Sequence, residues 1–131
     1  MGLSKTDQQL LDTFLQEILL DQRIIGVFRF GSSVTNNSYN DIDIALITEP
    51  IFSSQAKFDM KLQSPDRIDV SFLEDFPLDI AKNVIKGSLI VNRNKDRVFD
   101  IVVDIIKRWE DFKPMWDLYV DVSINGFGEN R

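Results

Sequence analysis

The amino-acid sequence predicts one α/β domain, in the broad sense that includes α+β folds, with a small mixed sheet flanked by helices. Apolar residues recur at helical spacing near both ends of the chain, and segments rich in β-branched and aromatic residues lie between them. For 131 residues, area scaling gives burial of about two-thirds of the unfolded surface, which is enough for one core. We expect the domain to span residues 1–122 and residues 123–131 to form a disordered tail.

Helices are predicted from amphipathic periodicity and from capping signals. Thr6 and Gln9 have the spacing of a capping box at the start of the first helix. Pro77 suits a first helical position, and Gly87 suits a helix end. The predicted helices cover residues 6–21, 53–63 and 77–87, and a long final helix follows an N-cap at Asn94 until Pro114 interrupts it.

Strands are predicted where apolar residues alternate with polar ones or run continuously. The predicted strands cover residues 23–31, 41–48, 67–73 and 88–91. The segment 32–40 is polar and rich in asparagine, which favours a loop or a single helical turn. Helices that alternate with these strands would flank the sheet.

The composition excludes several classes of function. The chain has no His and no Cys, which excludes an imidazole base, a Cys/His zinc site and a disulfide. Its 15 Lys and Arg against 21 Asp and Glu give a net charge of −6, which argues against extensive nucleic-acid binding. No apolar stretch approaches the roughly 18 residues of a membrane span, so we expect no membrane association and a cytoplasmic location.

Three acidic residues lie in predicted strands and could form a metal site. Residues two apart in a strand point to the same face, so Asp41 and Asp43 project side by side, about 6.6 Å apart. Two ionised carboxylates this close repel each other, and a divalent cation stabilises both charges. Oxygen ligands without His or Cys select Mg²⁺ or Mn²⁺. Asp69 on a later strand completes the site if the strand register allows it.

A glycine followed by two serines ends the first predicted strand. Gly31 would let a phosphate approach the backbone closely, because it carries no side chain. The amides and hydroxyls of Ser32 and Ser33 can donate hydrogen bonds to phosphate oxygens. A phosphate cradle beside a carboxylate metal site is the minimum equipment for transfer of a phosphoryl or nucleotidyl group.

These motifs together resemble those of a known superfamily. An apolar-Gly-Ser strand end, an acid-apolar-acid pair and a single acid in a later strand resemble the nucleotidyltransferases of the DNA-polymerase-β-like superfamily. The small size and residues 67–91, with the passage over residues 85–90, are most similar to the prokaryotic minimal nucleotidyltransferases (MNT). The similarity spans roughly residues 24–113.

The resemblance implies a nucleotidyltransferase fold and an activity. Asp41 and Asp43 would bind Mg²⁺ together with ATP, and Asp69 would bind a second metal or act as base for the incoming hydroxyl. Ser32 would contact the phosphates. Members of the family commonly pair with a HEPN-domain protein, and some are antitoxins that adenylylate a tyrosine of that toxin. The resemblance therefore implies transfer of AMP from ATP to a HEPN-type partner.

Two alternatives stay open at this point. Family members often carry an Ala-Arg-Gly-like segment after Gly-Ser, whereas residues 33–40 contain neither Arg nor Gly. The chain could therefore be an antitoxin that neutralises its partner by binding alone. It could also be a nucleotidyltransferase with a small-molecule acceptor, although the chain has little extra sequence for such a pocket.

Two further residues are candidates for contacts with the nucleotide. Arg93 follows a predicted strand within a basic segment, where it could bind triphosphate, contact an acidic partner surface or belong to a solvated surface. Tyr39 precedes the acid pair and could stack on a nucleobase or pack locally. The aromatic residues near the end of the chain are compatible with core or helix packing, or with a surface that binds a partner or a second copy in a homo-oligomer.

Overall fold

The computed structural model describes residues 2–35 and 39–125, and each predicted strand is present in it. The elements in chain order are α1 (Lys5–Ile18), β1 (Ile24–Phe30), α2 (Ser32–Thr35), β2 (Ile42–Thr48), α3 (Ser54–Gln63), β3 (Ile68–Phe72), a 3₁₀ helix (Leu73–Asp75), α4 (Leu78–Val84), β4 (Ser88–Asn92) and α5 (Lys95–Asn125). Residues 32–35, at the start of the segment predicted as a loop or a single helical turn, form the helical turn α2. Residues 36–38 of that segment lie outside the described part of the chain.

The strands form one mixed sheet in the order β3-β2-β1-β4. β1 pairs antiparallel with both β2 and β4, whereas β2 and β3 run parallel. The parallel pair is joined by α3, as a crossover between parallel strands requires. The predicted α+β architecture with a small mixed sheet is confirmed.

Helices cover both faces of the sheet, and each face has its own apolar cluster. On one face, Ile44 and Val70 pack with residues of α1 and α3. On the other face, Phe28 and Ala45 pack with residues of α4 and α5. Alternate residues of β2 therefore belong to different clusters, and a polar residue on this strand must find space at an open end of one face.

The start of α1 differs from the prediction. Ser4 is the N-cap, with its side chain accepting a hydrogen bond from the Asp7 amide at 3.1 Å. Thr6 already lies inside the first turn, so the predicted capping box does not form. The shift matters because it places Asp7 in the first turn, where its side chain is buried.

The end of α5 also differs from the prediction. The helix runs from Lys95 through Pro114 to Asn125 without interruption. A proline leaves the carbonyl four residues earlier without its helical partner. That residue is Glu110, which is exposed as Pro114 is, so water can satisfy the carbonyl. The helix extends into the predicted tail, and residues 126–131 lie outside the described part of the chain.

The long helix α5 is amphipathic rather than uniformly apolar. Its N-cap is Asn94, as predicted, and the Asn94 side chain accepts a hydrogen bond from the Arg97 amide at 3.2 Å. Among residues 2–35 and 39–125, no helix combines the length and the apolar character needed to cross a membrane.

Candidate active site

The register of the parallel pair brings two of the predicted acids together. Asp43 on β2 lies directly opposite Asp69 on β3. The flanking residues Ile42 and Ile68 are buried on the opposite face of the sheet, so both carboxylates point to the same face. Asp43 is half-buried and Asp69 is exposed at the edge strand. The register of β2 and β3 therefore places Asp69 beside Asp43, which the sequence alone left open.

The environment of Asp43 disfavours the ionised form of its carboxyl group. Burial raises the pKa of the Asp43 carboxyl above its ordinary value, and the charges of Asp69 and then Asp41 raise the pKa further. A hydrogen bond with Asp69 acts in the same direction. The ionised form of Asp43 is therefore disfavoured unless a positive charge lies beside it.

Asp41 precedes β2 and is exposed. It is near enough to Asp43 to raise the pKa of that carboxyl, but the three acids do not form a closed cluster. Within residues 2–35 and 39–125, no group of three or more carboxylates is arranged to hold a metal ion. The Asp43 and Asp69 pair fits a hard divalent cation by its oxygen donors and its excess negative charge, whereas Asp41 is not already in place.

The turn after β1 packs directly against Asp43. Gly31 has φ of 77°, in the left-handed region that glycine tolerates best. A Cβ atom at Gly31 would overlap the Asp43 carboxylate oxygen Oδ2. The glycine is therefore required twice, once by the backbone angle and once by the close approach of the acid.

Both predicted serines follow this turn in α2. Ser32 is half-buried, and Ser33 is fully buried at 0% exposure. The Ser33 hydroxyl has no hydrogen-bond partner among the described residues. A buried hydroxyl without a partner is costly, which makes Ser33 a candidate donor to a bound group.

Arg93 does not join this site. Its guanidinium donates to three backbone carbonyls between α1 and the start of β1: Nε to Ile24 O at 2.9 Å, Nη1 to Leu19 O at 2.7 Å and Nη2 to Asp21 O at 2.7 Å. These carbonyls lie at the opposite end of β1 from Gly31. The interpretation of Arg93 as a triphosphate contact is therefore corrected: its donors hold the α1–β1 connection.

A cavity of about 610 Å³ lies away from the acids. It opens between α4 and α5 and is lined by Thr48, at the far end of β2 from Asp43. It is not part of the candidate site.

A polar cluster beside the acids was not predicted from the sequence. The buried Asp7 carboxylate accepts from the Tyr39 hydroxyl at 2.6 Å and from Arg67 Nη2 at 3.0 Å. Hydrogen bonds from Arg67 and then from Tyr39 hold the pKa of Asp7 below its ordinary value. Of the two interpretations of Tyr39, local packing is the one observed, since its hydroxyl is bonded to Asp7 and its ring lies under the Arg67 guanidinium.

Comparison with known proteins gives the class of this fold and site. The polymerase beta, nucleotidyltransferase family matches residues 14–96, which is more than half of the chain. The chain therefore belongs to this family, and the resemblance drawn from the motifs is confirmed. The comparison with curated proteins finds no significant match.

Several solved structures with the same fold are toxin–antitoxin complexes. One contains tri-AMPylated Shewanella oneidensis HEPN toxin with MNT antitoxin, with a TM-score of 0.71, 17% identity, and coverage of 89% of this chain and 98% of that chain. The MntA–HepT toxin–antitoxin matches with a TM-score of 0.69 at 12% identity, covering 92% of this chain and 99% of that chain. A toxin–antitoxin with AMP-PNP matches with a TM-score of 0.67 at 16% identity, covering 88% and 97%. At these identities the likeness shows the MNT-type nucleotidyltransferase fold.

Proposed function

We propose that the protein transfers AMP from ATP to a tyrosine hydroxyl of a HEPN-type partner in a reaction that depends on Mg²⁺ or Mn²⁺, and that it thereby acts as an antitoxin. The observation that carries the proposal is the placement of Asp43 opposite Asp69 and against the Gly31 turn. A half-buried acid with a raised pKa, beside a second acid and a glycine turn, supports a site that takes a cation and an anion together.

Asp43 and Asp69 would hold the cation, and Asp41 would join them when metal and nucleotide bind. A bound divalent cation would offset the charge of the phosphates and of the leaving pyrophosphate. The amides and hydroxyls of Ser32 and Ser33, which follow the Gly31 turn, would donate hydrogen bonds to phosphate oxygens. The buried Ser33 hydroxyl, which has no partner among the described residues, supports this role.

The transfer forms a bond between the acceptor oxygen and the α-phosphorus of ATP. The bond from that phosphorus to the bridging oxygen breaks, and pyrophosphate leaves. The proton of the acceptor hydroxyl passes to a carboxylate oxygen of Asp69, which is exposed and so open to a protein acceptor. Positioning and electrostatics supply most of the rate, which explains how a chain without His can perform the reaction.

The neighbouring structures support the choice of acceptor and nucleotide. One of those complexes contains a tri-AMPylated HEPN toxin, and another contains AMP-PNP. Transfer of these properties to this chain is our proposal, since the shared feature is the fold.

One observation favours a second candidate, an antitoxin that acts by binding alone. The described residues contain no ready-made group of three carboxylates for a metal. Under this alternative, Asp41 and Asp43 would be dispensable for neutralisation of the partner.

Incubation of the protein with α-labelled ATP, Mg²⁺ and a purified HEPN-type protein from the same genome separates the two candidates. We expect label on the HEPN-type protein, and loss of that label with Asp43→Asn. Asp59→Asn is the matched control, because Asp59 is an exposed acid on α3 that bonds only the neighbouring Gln55 side chain in the described contacts. Full neutralisation by Asp41→Asn/Asp43→Asn, without any label on the partner, would establish binding alone.

A further inference from the structure

A charged network lies beside the acids but does not include them. Asp7 in the first turn of α1 is 8% exposed, and its carboxylate accepts from Tyr39 Oη at 2.6 Å. The Arg67 guanidinium donates to both oxygens of the same carboxylate, through Nη2 at 3.0 Å and Nε at 3.3 Å. The Tyr39 hydroxyl also accepts from the Ser4 amide at 3.3 Å. All of these groups are paired, so the network holds a defined geometry.

Arg67 links this network to both segments that carry the acids. It directly precedes β3, two residues before Asp69. Its Nη1 donates to the carbonyl of Asn40, the residue before Asp41. Its own carbonyl accepts from the Ile42 amide at 2.9 Å, at the start of β2. One side chain and one peptide group therefore tie the beginning of β2 to the beginning of β3.

These hydrogen bonds lie where they oppose the repulsion among the three acids. Asp41, Asp43 and Asp69 lie at the same end of β2 and β3, with Asp43 directly opposite Asp69, so their ionised carboxylates repel one another. That repulsion pushes the two strand ends apart when no cation is present. Arg67 donates to the Asn40 carbonyl across the same gap. The Asp7 carboxylate also spans the gap, because it accepts from Arg67 beside β3 and from Tyr39 in the segment before β2.

We propose that Asp7, Tyr39 and Arg67 form a positioning clamp that sets the separation between the Asp41–Asp43 segment and Asp69, and so tunes the affinity of this site for a divalent cation. Asp7 lies before residue 14, where the match to the family begins, so the clamp draws on the part of α1 outside that match. The catalytic importance of this clamp rests on the proposed function, because the separation of these acids would govern nucleotidyl transfer. None of the three residues is assigned contact with the substrate.

The test compares Asp7→Asn and Tyr39→Phe with the control Asp12→Asn. Tyr39→Phe removes one hydroxyl and keeps the ring under Arg67, so it is the variant that perturbs folding least. Asp12 is an exposed acid on the same helix, bonded to Gln8, so Asp12→Asn makes the same change of charge outside the clamp.

The first readout is amide hydrogen exchange at two positions of β2. The Ile42 amide bonds the Arg67 carbonyl, whereas Leu46 lies in the middle of the same strand. We expect exchange at Ile42 to become ~10-fold faster in Asp7→Asn and to rise less in Tyr39→Phe, with Leu46 changed by less than ~2-fold. Equal acceleration at both positions would show general loss of stability and would overturn the clamp.

The second readout is affinity for Mn²⁺ alone, measured by electron paramagnetic resonance on protein without nucleotide. We expect ~10-fold weaker binding in Asp7→Asn than in Asp12→Asn, since residues that orient ligating groups typically change affinity by this order. Unchanged affinity in a folded Asp7→Asn protein would overturn the inference, as would absence of Mn²⁺ binding by the wild-type protein. A wild-type protein that binds Mn²⁺ but transfers no label would overturn the proposed function and leave the clamp standing.

Discussion

Asp43 and Asp69 face each other across the parallel strands β2 and β3, with Asp43 also pressed against the turn at Gly31. The pairing places two negative charges side by side at one end of the sheet, and the guanidinium of Arg93 is occupied at the other end of β1. An arrangement that raises the pKa of Asp43 costs stability and is compensated only when a ligand supplies positive charge.

Asp43→Asn should abolish activity without lowering the stability of the protein. Without divalent cation, the substitution removes a repelled charge, so we expect the melting temperature at pH 7 to stay equal or to rise by roughly 1–4 °C. Label transfer to the partner should fall to background. Differential scanning fluorimetry with and without Mn²⁺ checks this, and the wild-type protein alone should gain stability from the ion. A lower melting temperature in metal-free Asp43→Asn would contradict the electrostatic account.

Gly31→Ala should damage the site more than the fold. The positive φ of 77° disfavours alanine, and the added Cβ would displace the Asp43 carboxylate. We expect a loss of about 1–3 kcal/mol in the free energy of unfolding and a loss of label transfer of at least ~100-fold.

Gly26→Ala is the control for this substitution. A Cβ at Gly26 would lie 3.2 Å from side-chain atoms of Ile47 and Val98, far from Asp43, so it should lower stability while sparing transfer by the folded fraction. Equal transfer activity in Gly31→Ala and Gly26→Ala, measured on folded protein, would remove Gly31 from the site.

The pairing of Asp7 with Arg67 should give stability that depends on pH. The pKa of Asp7 is held below its ordinary value of 3.8, so the folded protein favours the ionised carboxylate more than the unfolded chain does. The stabilisation is therefore complete above pH 3.8 and is lost as the pH falls through the lowered pKa of the folded state. We expect Asp7→Asn to cost about 2 kcal/mol at pH 7 and at pH 5, and progressively less below pH 4.

Urea unfolding of wild type, Asp7→Asn and Asp12→Asn at several pH values checks that window. Asp12→Asn should track the wild type throughout, because Asp12 is exposed and bonds only a neighbouring glutamine in the described contacts. If the difference in free energy of unfolding between wild type and Asp7→Asn grew as the pH fell, the pKa of Asp7 would be raised in the folded protein, and the stabilising pair with Arg67 would be refuted.

The sequence predicts the strands and most helices because periodicity and caps are local signals. The alternation around Asp69 was enough to place its side chain away from Ile68 and Val70, on the open face. Its position opposite Asp43 required the register between two strands, which no local pattern encodes. Asp7 illustrates the same limit, since its partner Arg67 is 60 residues away and its role depended on a helix start that the capping pattern misplaced.

Arg93 offers the clearest test of a residue that sequence reasoning placed in the wrong role. Its three hydrogen bonds to the carbonyls of Leu19, Asp21 and Ile24 join α1 to the sheet. Lysine cannot reproduce a planar fork with several donors, so Arg93→Lys should lose nearly as much stability as Arg93→Ala, roughly 1–3 kcal/mol by urea unfolding. The KM for ATP of the folded fraction should not change. Arg97→Lys, which alters an exposed ion pair with Glu49, is the control. A raised KM for ATP in Arg93→Lys with an unchanged free energy of unfolding would show that Arg93 does contact the phosphates.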